Sequence, residues 1–105
     1  MKNITTALLC LLFSVYSFGQ CSHTFNMADS WGDGWNGAAV NIIINGEIAL
    51  EGVTLTAGNS GTETFEAATG DTIELDWTSV GSYPGEITWT IDDGEGNQIT
   101  NGNTS

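Results

Sequence analysis

The sequence predicts an all-β protein: an antiparallel β-sandwich of about seven or eight short strands in a jelly-roll or CUB-like arrangement. Three observations predict it. Apolar residues recur at every second position along most of the chain, Gly-rich and Asn-Gly turn signals separate these runs at regular spacing, and no segment carries a helical period.

The first 19 residues stand apart from that pattern. Lys2 supplies a positive start, Ile4 to Val15 is an apolar stretch, and Ser17-Phe18-Gly19 offers small residues near a cleavage point, which together read as an export signal cut after Gly19. The apolar run is shorter than the roughly 20 residues a bilayer requires, which argues against a membrane anchor. Lipid attachment at Cys21 is the alternative processing route, although Phe18-Gly19-Gln20 fits the preceding consensus poorly. Residues 20–105 are then a single domain, because a chain of 105 residues has room for one small core and no second lobe.

Within that domain the strands follow in order. Phe25 and Met27 alternate with Thr24, Asn26 and Ala28, giving a first strand that ends at Asp29. Val40, Ile42 and Ile44 alternate next and run into Asn45-Gly46, the strongest short signal for a two-residue hairpin, with Ile48 and Leu50 on the return. Val53 and Leu55 suggest another short strand, Ala57 to Gly61 a loop, and Phe65 and Ala67 the next extended run. After a turn at Thr69-Gly70-Asp71 comes the clearest alternation: Ile73, Leu75 and Trp77 oppose Thr72, Glu74 and Asp76. Ile87, Trp89 and Ile91 repeat it, and Asp93-Gly94-Glu95-Gly96-Asn97 closes a final hairpin into Gln98 to Thr100. Trp77 and Trp89 lie in phase with Ile and Leu, so they read as core residues.

Charge narrows the partners. The chain has 13 Asp and Glu against one Lys or Arg, and that one, Lys2, leaves with the signal. No carboxylate of the mature domain can find a side-chain ammonium or guanidinium, so each must be solvated, hydrogen-bonded, or neutralised by an external cation. Nucleic acids and anionic membranes, which demand basic patches, are excluded as partners. A divalent cation, a neutral polysaccharide or another cell-surface protein remains. Once Cys10 is removed, Cys21 has no partner within the mature chain.

The run Asp29-Ser30-Trp31-Gly32-Asp33-Gly34-Trp35-Asn36-Gly37 breaks the alternation and holds the richest chemistry. Asp29, Asp33 and Asn36 put hard oxygen donors on a loop that its glycines allow to fold tightly, which suits calcium. It is not an EF-hand loop, since the donors do not alternate and no Glu closes the run. Glu86, at the start of the strand after the Gly81 to Gly85 loop, is a candidate distal ligand. The alternative is that Asp29, Asp33 and Asn36 merely cap loop N–H groups while Trp31 or Trp35 plugs the sandwich end. The acidic turn at Asp92, Asp93 and Glu95 is accounted for as a hairpin. His23 has neither a second His nor a Cys to complete a zinc site, and there is no nucleophile elbow or phosphate-cradling loop, so the expectation is a protein without catalytic activity.

This nine-residue run, with Cys21 upstream and Val40, Ile42, Asn45 and Gly46 downstream, resembles a D-S-[WY]-G-D-G-W-N-G module that recurs in exported multidomain proteins of Bacteroidota and in some eukaryotic extracellular proteins. Gly70-Asp71 to Trp77, Gly81-Ser82-Tyr83, Glu86, Trp89 and Ile91 to Asp93 are similar to its second half. The resemblance covers nearly the whole mature domain and implies a non-catalytic β-sandwich accessory module. The context differs, since only Thr100-Asn101-Gly102-Asn103-Thr104-Ser105 follow Ile99 here.

The functional expectation is a secreted or extracellular binding or adhesion module, stabilised by calcium at Asp29, Asp33, Asn36 and Glu86. Trp31 and Trp35 are its candidate ligand-binding residues, their rings offering a stacking surface for neutral carbohydrate. The alternative is a spacer or cap in a surface assembly, with no metal and no ligand.

Overall fold

Strict alternation in the first strand determines where the rest of the chain packs. In the structure, a computed structural model that describes residues 21–104, strand β1 spans Cys21–Asp29 and buries every second residue: Cys21, His23, Phe25, Met27 and Asp29. The predicted export signal lies outside the described residues.

Six further strands follow: β2 (Ala39–Ile44), β3 (Glu47–Val53), β4 (Ser60–Ala67), β5 (Ile73–Ser79), β6 (Ile87–Asp92) and β7 (Gln98–Gly102). They form two antiparallel sheets, one ordered β4-β1-β6-β7 and the other β3-β2-β5. The predicted sandwich is therefore observed, with seven strands among the described residues. Among the described residues, a 3₁₀ turn at Pro84–Glu86 is the only helix. No helix among the described residues is long and apolar enough to cross a membrane.

Two connections are hairpins and the others cross between sheets. Asn45 (φ 52°) and Gly46 (φ 85°) both adopt the left-handed conformation that a tight two-residue turn demands, as the dipeptide predicts. The β2–β3 ladder then slips past a bulge, which is why β2 buries three consecutive residues, Val40, Asn41 and Ile42. Buried Asn41 is satisfied because its Oδ1 accepts the Gly52 N–H at 2.8 Å. Val53 ends β3, whereas Leu55, predicted to share a strand with it, lies beyond the strand as a buried loop residue.

The core between the sheets joins Phe25, Met27, Val40, Ile42, Phe65, Ile87 and Ile91, with Trp35 at its centre. The Trp35 ring stands edge-on to Phe25 at 6.3 Å and lies 5.4 Å from Trp77, while Trp89 lies 5.8 Å from Phe25. Trp77 and Trp89 are half-buried against this cluster, in the core role that their phase predicts. Cys21, buried at the start of β1, is disulfide-bonded.

Candidate metal centre

The period of β1 places the last residue of the strand, Asp29, on the core side of the sheet, where a carboxylate would otherwise not be found. Its side chain is 2 % exposed. β1 pairs with β6 so that Asp29 faces Ile87, and Ser30 N–H donates to Glu86 O at 3.1 Å, which brings Glu86 alongside. The chain then folds back through the glycine-rich loop and returns Asp33 to the same spot.

That return depends on close backbone packing. Gly34 N–H donates to Gly58 O at 3.1 Å and Trp35 N–H to Leu55 O at 2.7 Å. Gly34 sits at φ 83°, and a Cβ there would fall 2.7 Å from Leu55 O, so only glycine fits. The loop carrying Glu86 is fixed from the other side. Ser82 N–H donates to Asn36 O at 3.2 Å, and a Cβ on Gly81 (φ 70°) would meet Ala38 N at 2.7 Å.

Three segments thus converge: Asp29, Asp33 and Glu86 each bring a carboxylate oxygen within 4.8 Å of the others. Asp29 Oδ2 accepts the Asp33 backbone N–H at 2.8 Å. By contrast, Asp29 Oδ1 and Glu86 Oε1 are buried and accept no hydrogen bond. Two orphaned buried anionic oxygens are costly, because burial removes their hydration and nothing replaces it. With no Lys or Arg in residues 21–104, no side-chain cation of this segment can neutralise them.

The titration of the three groups follows from this geometry. Desolvation raises the Glu86 carboxyl above its ordinary value of 4.5, and the negative charges of Asp33 and Asp29 raise it further. Desolvation also pushes Asp29 upward, but the Asp33 N–H, the neighbouring Asp33 carboxyl and the Trp31 N–H outweigh it, leaving Asp29 below 3.8. Of the carboxyls in the cluster, Glu86 is thus the one whose ionisation burial and the neighbouring charges oppose. A cation would relieve both the repulsion and the two orphaned acceptors. The described residues can hold a metal ion here: three hard oxygen donors from separate segments, grouped at one end of the sandwich.

The structure brings the three carboxylates among the four predicted ligands together. Asn36, the fourth, lies beside them with its amide nitrogen 3.5 Å from Asp33 Oδ2 and its backbone at φ 50°. The two candidate ligand-binding tryptophans separate completely. Trp31 is 76 % exposed, whereas Trp35 is 0 % exposed and donates its ring N–H to Ala28 O at 3.0 Å. Trp35 is therefore a core residue, which corrects its assignment to a ligand surface. Two further residues that the sequence reading did not single out adjoin the cluster. Asn59 brackets Asp29 by accepting its N–H at 2.8 Å and donating from its side chain to Asp29 O at 3.4 Å. Tyr83, 56 % exposed, precedes Glu86 by one turn. An aromatic out of phase with any strand, two residues before a Gly, was the available signal for Tyr83; Asn59 offered none.

A scan against protein-family models finds no match, and searches of curated proteins and of solved structures find none either.

Proposed function

We propose that this chain is an extracellular, non-catalytic binding module whose loop end is held by a calcium ion bound to Asp29, Asp33 and Glu86. The observation that carries this is the pair of buried, unpartnered oxygens, Asp29 Oδ1 and Glu86 Oε1, within one cluster of three carboxylates. Calcium suits the set better than zinc or copper, because every donor is a hard oxygen and His23 lies on the strand away from the cluster. The ion ties the end of β1, the loop and the start of β6 to one point, and so holds the exposed Trp31 on a rigid support.

Isothermal titration of calcium into the protein at neutral pH checks this. The expected result is one site, lost in Asp29→Asn. A protein that takes up no calcium, or takes it up equally well in that variant, contradicts the proposal.

A further inference from the structure

The same site has an outward side, and we propose that the bound cation takes part in recognition: its open coordination positions bind vicinal hydroxyls of a neutral sugar whose face stacks on Trp31. This rests on the calcium reading above and names the ligand that the site would take.

Coordination number is the first reason. Calcium takes roughly six to eight oxygens, while Asp29, Asp33 and Glu86 each offer one to the cluster. Asp29 Oδ2 is already engaged by the Asp33 N–H, and Asp33 Oδ2 lies by the Asn36 amide, so about three or more positions are left for outside oxygens. The second reason is depth. Asp29 forms a buried floor, Glu86 is half-buried and Asp33 is exposed, so the ion sits with one side toward solvent.

The third reason is the placement of the aromatics. Of the seven aromatic residues in 21–104 other than histidine, only Trp31 and Tyr83 are exposed, and both belong to the segments that carry the carboxylates. Trp31 stands between Asp29 and Asp33 in the chain, so its exposed ring belongs to the loop that carries two of the three carboxylates. A broad apolar ring fixed beside a half-open cation matches a pyranose, which presents hydroxyl pairs at its edge and C–H groups on its face. Charge selects among sugars. Three carboxylates leave the loaded site net negative, and residues 21–104 contain no Lys or Arg to receive a sulfate or carboxylate, so anionic glycans are rejected.

The test is an array of neutral, sulfated and sialylated glycans, probed with calcium and with EDTA, alongside calcium-dependent thermal unfolding of the same samples. The expected result is binding to neutral glycans that disappears in EDTA and weakens about tenfold in Trp31→Ala, with Trp31→Phe retaining most of it. The calcium-induced rise in midpoint should be unchanged in both variants, which shows that they fold and still bind the ion. A calcium-induced rise without glycan binding overturns the sugar proposal and leaves the metal site standing. Binding that survives EDTA, or that favours sulfated glycans, overturns it as well. Absence of any calcium-induced rise overturns the metal reading and this proposal together.

Discussion

Two tryptophans four positions apart take opposite fates because only the second lies where the loop pairs with the Leu55 to Gly58 segment and its ring N–H reaches Ala28 O. Trp35 N–H reaches Leu55 O at 2.7 Å, which draws its ring into the core, while Trp31 stays on the outer limb of the loop. Nothing in the run from Asp29 to Gly37 encodes that distinction, since the deciding partner is 20 residues away. Donor type and glycine spacing single out Asp29 and Asp33, which the fold brings together, and Asn36, whose amide lies 3.5 Å from Asp33 Oδ2. Trp35→Ala should cost about 3–5 kcal/mol by leaving a large cavity, whereas Trp31→Ala should stay within about 0.5 kcal/mol; chemical denaturation of both variants checks this. Gly34→Ala should cost well over about 1 kcal/mol, because it combines an unfavourable φ with a collision against Leu55 O, and it should weaken calcium uptake by displacing Asp33.

Strands were legible where one face is buried, because their side-chain period is two and the core imposes it. The alternation in β1 and in Phe65-Ala67 of β4, and the turn at Asn45-Gly46, are read directly from sequence. Strand order was not, since pairing β1 with both β4 and β6 involves partners far along the chain and no local pattern reports them. Two turns illustrate how such non-local order is secured. Asn45 Nδ2 donates to Asp71 Oδ1 at 3.0 Å and Asn45 Oδ1 accepts the Thr72 N–H at 2.9 Å, while Asp71 Oδ2 accepts the Ala68 N–H at 2.7 Å. The Ala68 N–H foremost, and then the Asn45 amide, hold the Asp71 carboxyl below 3.8. A carboxyl depressed by folding stabilises the protein above its ordinary value and loses that contribution as pH falls through the lower, folded value. Asp71→Asn should therefore lower the unfolding midpoint at neutral pH and narrow its difference from the parent below about pH 3.8; midpoints measured across an acid series check this. An undiminished difference at the acid end would mean that charge at Asp71 is not what joins the turns.

For the whole molecule, a formal charge of −12 with a single basic residue means that electrostatics oppose folding unless a cation intervenes. Glu86 concentrates that opposition. Its carboxyl is raised by folding, so its favourable contribution is complete below the ordinary value of 4.5 and is lost as pH rises through the higher, folded value. Metal-free protein should accordingly weaken over that window, and calcium should restore it. Glu86→Gln removes the repelled charge and an ion ligand together; the midpoint in EDTA reads the first effect and the response to calcium reads the second. The decisive measurement is the thermal unfolding midpoint at neutral pH of parent and Glu86→Gln, each with EDTA and with calcium. A site at a hundredfold excess of calcium over its dissociation constant stabilises the fold by about 2.7 kcal/mol, and each 1 kcal/mol moves the midpoint of so small a domain by roughly 4–8 °C. The account predicts a clear calcium-induced rise in the parent, and a variant that starts higher in EDTA and does not respond to calcium. A parent indifferent to calcium, or a variant that responds as the parent does, would contradict it.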